Sequence, residues 1–404
     1  MNDVNKKDAI RVVESLRLGI PPEGHIAEFT VGRSEEIKIL RSSLNASDYS
    51  ALLVKANYGA GKSHLLKLLR EEALSEGYVV ALVTLDSNGG ARFNRMDQIF
   101  GQVCRSFEVP GSQERSIRHL FDRLSHLATR NPNEKWMQCL SSNGKWDQSA
   151  LLASPGLYVA VRAWINARND GGRLGEGKEP RLDLIEDWLF QPWLYKNHRQ
   201  HLFNNLIGSM RLFYRDPRRD NVFFTDGVFV FGAQGHRQSW DGVGDLHMLA
   251  QCAGYKGLIL CFDEVEDILY NLNNIRYQQD AFRNLFMVFA GRLPTKCFFA
   301  VTPGFVDKCK SLLFNRGVYD YDFRQFDALR TFEMTPIGER QMFGLAEKIL
   351  NVYQVAYTIR AARVRLLAGI EMVCRKKMAS PVEDRVRQSI KAVVSYLDEA
   401  MEAS

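Results

Sequence analysis

The residues with the clearest chemical potential form a short loop, Ala56–Ser63, directly after the apolar run Ala51–Val54. A buried strand, a glycine-bearing loop and a Lys-Ser pair that opens a helical pattern are typical of a loop that binds nucleotide phosphates. Glycines let backbone N–H groups face the phosphates, and the start of the following helix adds partial positive charge. We therefore expect Lys62 to reach the β- and γ-phosphates and the Ser63 hydroxyl to bind Mg²⁺.

The loop departs from the usual pattern G-x-x-x-x-G-K-[ST] at one position, where Ala56 replaces the first glycine. Alanine tolerates a tight turn wherever φ stays negative, and Gly59 and Gly61 remain next to the expected phosphates. The alternative interpretation is a chance glycine-rich turn before a helix. A second feature of the sequence argues against this alternative.

That feature is a pair of acidic residues, Asp263 and Glu264, at the end of another apolar run, 257–262. Ligands of open α/β sheets bind beyond the carboxyl ends of the strands, so both acids are expected on the phosphate side. Asp263 can then hold Mg²⁺, and Glu264 can orient and polarise an attacking water. A surface acidic pair after a core strand is the alternative, but the phosphate loop upstream favours hydrolysis.

A further polar residue, Thr302, follows the strand pattern 296–301. At the carboxyl end of a parallel strand it could contact the γ-phosphate or the attacking water. Small hydroxyl residues also end strands because they favour turns, so a role in sensing the nucleotide is one of two alternatives.

These residues need a parallel sheet that brings several strand ends together. The apolar runs and amphipathic segments predict an α/β fold of the P-loop NTPase type, with a parallel sheet, helices on both faces, a mostly helical insertion and a C-terminal helical lid. The predicted regions are an N-terminal helix with the first part of the core (1–86), the insertion (87–245), the rest of the core (246–335) and the lid (336–404). An insertion is inferred because a compact domain does not need so many residues between two strands.

Composition places the chain among ordinary globular proteins. Of its 404 residues 46% are hydrophobic and 25% charged, and no run approaches the ~18 consecutive apolar residues of a membrane span. The first residues lack the apolar segment of a signal peptide, so we expect a cytoplasmic protein without a membrane partner. The seven cysteines and eight histidines show neither a disulfide framework nor zinc-ligand spacing. The net charge of +6 is compatible with nucleic-acid contact but does not establish it.

The order of these parts resembles the AAA+ ATPases, particularly the initiator branch that includes the origin-recognition proteins. More closely, the chain resembles the P-loop ATPases of bacterial BREX phage-defence loci, of the BrxD type. The resemblance extends over about residues 8 to 397, although the insertion carries little of it. The segments that carry it are Val31-Gly32-Arg33, Tyr58-Gly59-Ala60-Gly61-Lys62-Ser63-His64-Leu65, Gly254-Tyr255-Lys256-Gly257 with the strand that ends at Asp263-Glu264-Val265-Glu266, and Ala300-Val301-Thr302-Pro303-Gly304-Phe305.

The resemblance implies which residues hold the nucleotide. Gly32 and Arg33 would flank the adenine, because the corresponding segment covers the base in related ATPases. The loop from Tyr58 to His64 would bind the phosphates, with ATP and Mg²⁺ as the ligands.

The resemblance also implies two roles for arginines. The lid would contribute a second-sensor arginine, Arg385 in preference to Arg387. A neighbouring subunit of a homo-oligomer would contribute an arginine finger, for which Arg316 and Arg324 are available. A solvated helix face is the alternative for each of these side chains.

Contact with DNA is a separate expectation. Initiator ATPases usually add a winged-helix domain after the lid, and here only 386–397 and a short tail remain. Any contact would then use basic clusters beside aromatic residues, which suit phosphate neutralisation and base stacking. The candidates are Arg211, Arg215, Arg218 and Arg219 beside Phe213 and Tyr214, and Arg360, Arg363, Arg365, Arg375, Lys376 and Lys377. Solvated surface is the alternative for both clusters.

The sequence therefore predicts Mg²⁺-dependent ATP binding and hydrolysis that drives a conformational change. By resemblance, the setting would be a DNA-associated antiviral defence system, with other defence proteins, a helicase among them, as candidate partners. The alternative is a slowly hydrolysing, nucleotide-dependent switch or scaffold that assembles with partner proteins without acting on DNA. A small-molecule kinase is disfavoured, because the sequence contains no second substrate-binding pattern.

Overall fold

A computed structural model describes residues 5–48, 51–57, 59–85, 91–112, 114–130, 235–270 and 274–403, with 152–154, 157, 161, 165 and 272. The strands are β1 (Ala51–Lys55), β2 (Val79–Thr84), β3 (Phe107–Glu108), β4 (Leu258–Asp263), β5 (Lys296–Val301) and β6 (Thr331–Glu333). The helices are α1 (Lys6–Arg17), α2 (Ser34–Asn45), α3 (Lys62–Ser75), α4 (Met96–Arg105), α5 (Arg118–Arg130), α6 (Gly235–Cys252), α7 (Asp267–Tyr270), α8 (Ile275–Phe289), α9 (Phe305–Asn315), α10 (Arg324–Asp327), α11 (Glu339–Ala356), α12 (Arg363–Met378) and α13 (Val382–Glu402). None of these helices combines the length and apolar character that crossing a membrane requires.

The strands form one six-stranded sheet in the order β3-β2-β4-β5-β1-β6. Within the described residues all neighbouring strands are parallel except β3, which pairs antiparallel with β2 at one edge. Because β5 lies between β1 and β4, the loop after β1 and the acids after β4 open at the same edge of the sheet, one strand apart. The predicted α/β fold with a mainly parallel sheet is confirmed.

The central strands are buried on both faces, and their side chains alternate between two cores. On β4, Leu258, Leu260 and Phe262 lie in the core completed by α4, α6 and α8. Ile259 and Cys261 lie in the opposite core, which α2 and α3 complete. This two-residue alternation between apolar faces is the pattern of a parallel sheet covered by helices on each side.

Part of the region predicted as an insertion, 87–245, packs directly on the sheet. Buried residues of α4, α5 and α6 belong to the same core as β4. The two-residue strand β3 also extends the sheet past β2, which the sequence analysis did not predict. Residues 166–234 lie outside the described part of the chain, so the boundaries of the insertion stay a prediction.

A third core joins the two ends of the chain. It is built from α1, α11, α12 and α13 together with Phe29, and it is separate from the two cores of the sheet. The contribution of α1 is Ala9, Val12, Val13 and Leu16. Arg17 at the end of α1 also donates to both carboxylate oxygens of Asp398 on α13, at 2.7 and 3.2 Å. The helix that the predicted boundaries group with the ATPase core therefore shares its core with the lid.

Replacing Val13 by Asp tests this shared core. Val13 is fully buried, so an unpaired carboxylate there should cost about 3 kcal/mol or more of stability. Amide hydrogen exchange in α13 should then accelerate, although α13 is more than 360 residues away in the chain. The matched control is Val364→Asp on α12, because that side chain is 80% exposed and should tolerate the charge. Exchange in α13 that stays at the wild-type rate in Val13→Asp would contradict the shared core.

Candidate functional site

The loop between β1 and α3 has the backbone geometry of an anion-binding turn. Gly59 and Gly61 have φ values of 69° and 94°, in the left-handed region that L side chains rarely adopt. The N–H of Ala60 donates to the carbonyl of Asn57 at 3.1 Å and closes the turn. Gly61 precedes α3 without a side-chain cap, so the first amides of this 14-residue helix are suited to a bound anion. Tyr58, predicted to belong to the site, lies outside the described residues.

Lys62, the first residue of α3, lies against a buried carboxylate. Its Nζ is 3.4 Å from Oε1 of Glu266, and the two side chains are only 10% and 3% exposed. The other carboxylate oxygen of Glu266 is buried and has no hydrogen-bond partner among the described residues. We predicted no role for Glu266 from the sequence. Its position two residues after Glu264 is the only local feature that could have indicated a place at the site.

The acids at the end of β4 have distinct surroundings. Asp263 accepts a hydrogen bond from the backbone N–H of Glu264 at 3.0 Å. Glu264 has φ 58°, and no other described non-glycine residue has a positive φ. Such a conformation costs free energy and is enriched at functional sites. Glu264 is exposed and lines the same cavity as the phosphate loop, so its carboxylate can contact solvent there.

Thr302 follows β5, the strand between β1 and β4. It is buried, and its hydroxyl has no hydrogen-bond partner among the described residues. Buried polar groups are nearly always hydrogen-bonded, so this hydroxyl and the second oxygen of Glu266 indicate where a further polar partner belongs. With the exposed hydroxyl of Ser63 and the carboxylate of Asp263, the oxygen donors at this sheet edge fit a hard cation such as Mg²⁺.

A cavity of about 510 Å³ extends from the phosphate loop towards the lid. Residues 59–65 and Glu264 line its polar end. Its other walls are mainly apolar and come from both ends of the chain, with Ile20 and Val31 on one side and Ile337, Leu345, Val386 and Ile390 on the other. A polar end that binds phosphates and an apolar end that accepts a flat ring suit a nucleotide.

The two residues predicted to flank the adenine have protein partners. A Cβ atom added to Gly32 would overlap Cγ of Gln341, so this glycine permits close contact with α11. Arg33 lines the cavity, but its guanidinium donates to the carbonyl of Ala60 at 2.7 Å and to Glu36 at 2.9 Å. Contact of this pair with the base stays a prediction.

His64 connects the phosphate helix to the segment before α2. The Thr30 hydroxyl lies 2.8 Å from the carbonyl of Ile26, to which it must donate. Its oxygen therefore accepts from Nε2–H of His64, also at 2.8 Å. Burial lowers the pKa of His64 to about 4, and the positive charges of Arg33 and Lys67 contribute to the shift. His64 is thus neutral at physiological pH, with its proton on Nε2.

The predicted arginines lie in different places. Arg385 donates to the carbonyl of Ser380 at 3.2 and 3.3 Å, whereas Arg387 lines the cavity and contacts the carbonyl of Gly19 at 3.4 Å. Which of the two, if either, acts as the second-sensor arginine stays a prediction. Arg316 lies exposed just after α9 and is not among the described residues that line the cavity. Its role, like that of Arg324, would need a neighbouring subunit and stays a prediction.

The basic clusters proposed for DNA contact are only partly described. The cluster at 211–219 lies outside the described residues. In the lid cluster, Arg363 pairs with Glu347 and Arg375 pairs with Glu339 and Glu371. Intramolecular pairing of two of the six lid residues reduces the positive charge available to DNA on that surface.

The fold and the site together define a P-loop NTPase-like α/β protein. The sequence profile of the family described as "BREX system ATP-binding protein BrxC/D" matches residues 4–133 and 230–403. The chain therefore belongs to this family of ATP-binding proteins of a phage-defence system, as the sequence analysis predicted. No curated protein and no solved structure matches the chain. Residues 134–229, which the family profile leaves unmatched, fall within the predicted insertion.

The protonation state of His64 gives a testable prediction. With a pKa of about 4, His64 should stay neutral between about pH 5 and 8, with the proton on Nε2. Because its pKa in the folded state is below the ordinary histidine value of 6.5, the unfolded chain binds the proton more readily. Lowering the pH from 6.5 towards 4 should therefore reduce the free energy of unfolding, and His64→Gln should lack this part of the dependence. Nitrogen NMR of labelled histidine measures the titration, and a His64 pKa near 6.5 would contradict the buried, neutral assignment.

Proposed function

We propose that the protein binds Mg·ATP in the cavity between the phosphate loop and the lid, and hydrolyses it. The observation that carries the proposal is the joint placement of the loop amides, Lys62 and Glu264 around one cavity. A protein that only retained nucleotide would not need the exposed carboxylate of Glu264 at that end of the cavity. It would also not need the backbone strain of Glu264, whose φ is 58°.

Binding of the phosphates is the task of the loop. The amides around Gly59 and Gly61 and the positive end of α3 stabilise the negative charge of the triphosphate. Lys62 donates to the β- and γ-phosphates after exchanging its contact with Glu266 for the phosphate oxygens. Ser63 and Asp263 would hold Mg²⁺, which would supply charge neutralisation on the transferred phosphoryl group.

Hydrolysis is assigned to Glu264 acting on water. Its carboxylate orients the water and accepts its proton as the water oxygen bonds to the γ-phosphorus. The bond between the γ-phosphorus and the bridging oxygen breaks, so ADP and inorganic phosphate leave. The buried Thr302 hydroxyl, which has no partner among the described residues, is assigned to the γ-phosphate or the water.

Turnover would be converted into movement of the lid. Loss of the γ-phosphate removes contacts of Thr302 and of the lid arginine, which changes the relative stability of lid positions. Within a BREX-like system, the proposed partners are other proteins of the system, a helicase among them, or DNA that such a partner acts on. In the same proposal, the protein lies in the cytoplasm and assembles with copies of itself.

A slowly hydrolysing switch is the second candidate. Arg33 connects the phosphate loop with the junction before the lid through hydrogen bonds. These bonds favour the switch, because nucleotide binding alone could then change the position of the lid. The two candidates differ in turnover. Stimulation of ATP hydrolysis by duplex or single-stranded DNA would favour action with a DNA-directed partner, and its absence would favour the switch.

Two substitutions test the assigned roles. Lys62→Ala should weaken ATP binding at least about tenfold, because it removes a charge-assisted contact to the phosphates. Glu264→Gln should leave ATP affinity within about twofold and lower turnover by about 10²-fold or more, because only the proton acceptor is lost. Equilibrium binding and steady-state release of phosphate are measured on the same preparations.

Lys38→Ala and Glu35→Gln are the matched controls for that experiment. They change the same residue types in an exposed ion pair on α2 and should leave both binding and turnover unchanged. Wild-type turnover no higher than that of Glu264→Gln would reject hydrolysis and favour the switch. ATP affinity unaffected by Lys62→Ala would reject the site itself.

A further inference from the structure

Arg33 is almost completely buried, with 4% of its surface exposed. Both terminal nitrogens of its guanidinium donate hydrogen bonds. Nη2 donates to the carbonyl of Ala60 in the phosphate loop at 2.7 Å. Nη1 donates to Oε1 of Glu36 at 2.9 Å and also to the carbonyl of Thr335. The side chain thus connects three segments that are far apart in the sequence.

Thr335 closes this network at the junction between the sheet and the lid. Its N–H and its hydroxyl both donate to Oε1 of Glu36, at 3.3 and 2.9 Å. It lies between the end of β6 at Glu333 and the start of α11 at Glu339. Burial alone would raise the pKa of Glu36, but the hydrogen bonds from its own N–H, Arg33 and Thr335 together lower it, which keeps the carboxylate ionised.

The hydrogen bond to the Ala60 carbonyl fixes the orientation of the whole peptide group between Ala60 and Gly61. A peptide group is planar and trans, so its C=O and N–H point in opposite directions. When Arg33 holds the carbonyl of Ala60, it also sets the direction of the N–H of Gly61, away from Arg33. That N–H is one of the loop amides expected to face the phosphates.

We propose that Arg33 is a positioning residue, which holds the Ala60–Gly61 peptide with its N–H towards the phosphates and ties the loop to the junction before the lid. The inference rests on the proposed nucleotide binding and adds a residue that acts on the phosphate end of the ligand through the loop. It differs from a base contact, because the role comes from hydrogen bonds that the guanidinium donates within the protein, to Ala60, Glu36 and Thr335.

The chemistry of the network needs an arginine. Its planar guanidinium can donate along separate directions to Ala60, Glu36 and Thr335 while the charge pairs with Glu36. A lysine keeps the positive charge but presents a single ammonium group, which cannot reproduce this planar arrangement of donors. Arg33→Lys therefore separates the geometry of the side chain from its charge.

The experiment compares ATP with inorganic tripolyphosphate, which has the phosphates but no base. Dissociation constants of both, with Mg²⁺ present, are measured by calorimetry for wild type, Arg33→Met and Arg33→Lys. If Arg33 positions the loop, both variants lose affinity for the two ligands by the same factor, about tenfold for Arg33→Met. If Arg33 instead contacts the base, ATP affinity falls while tripolyphosphate affinity does not change, and the inference is overturned.

Controls separate this effect from general destabilisation. Arg41→Met removes an exposed arginine of α2 that pairs with Glu72 and should leave both dissociation constants unchanged. Thermal unfolding followed by circular dichroism must show each variant folded at the assay temperature, and Arg33→Lys carries the test if Arg33→Met is unfolded.

Wild type that binds neither ligand would reject the proposed function. Wild type that binds both, together with Arg33 variants that bind both equally well, would reject this inference alone.

The tie to the lid has its own measurement. In the wild type, tripolyphosphate should slow amide hydrogen exchange at 334–341, because a loop ordered by phosphate stabilises the network that ends at Thr335. In Arg33→Lys at saturating tripolyphosphate, this slowing should be lost although the ligand is bound. Equal slowing in both proteins would show that Arg33 does not transmit the binding event.

Discussion

The structure depends on one backbone constraint: the loop after β1 must turn several amides towards a single place. Two left-handed glycines make the turn, and α3 adds its positive end directly behind it. Amides that face one way leave carbonyls that face the other, and these need partners within the protein. The bond from Arg33 to Ala60 supplies one, so the segment before α2 belongs to the site as much as the loop does.

Hydrogen bonds link the lid to the phosphate loop through the segment before α2, in addition to the cavity that both line. Thr335 joins the network of Arg33, and the ammonium group of Lys348 on α11 donates to the carbonyl of Glu28 at 2.6 Å. His64 contacts Thr30 in the same segment. Since α1 packs in the core of the lid, the residues that follow it connect two bodies and line the cavity between them. A ligand in that cavity would contact both bodies, so its affinity can differ between positions of the lid, which is what a ligand-driven shift requires.

Much of this arrangement could be predicted from local patterns. The buried strands, the phosphate loop and the acids at 263 and 264 were recognisable because each has its signal within a few consecutive residues. The partners of Arg33, the buried Glu266 and the place of α1 could not be predicted in this way. An amphipathic pattern shows that a helix buries one face, but not which element covers it. Strand β3 has only two residues, too few for a two-residue alternation to be visible.

A crystal structure with a non-hydrolysable ATP analogue and Mg²⁺ would show directly whether the loop amides bind the phosphates. We expect the triphosphate to lie against the amides of residues 59–63, with the metal between Ser63 and Asp263 and the base between the N-terminal segment and the lid. A nucleotide bound elsewhere, or phosphates that contact side chains but not these amides, would contradict this expectation.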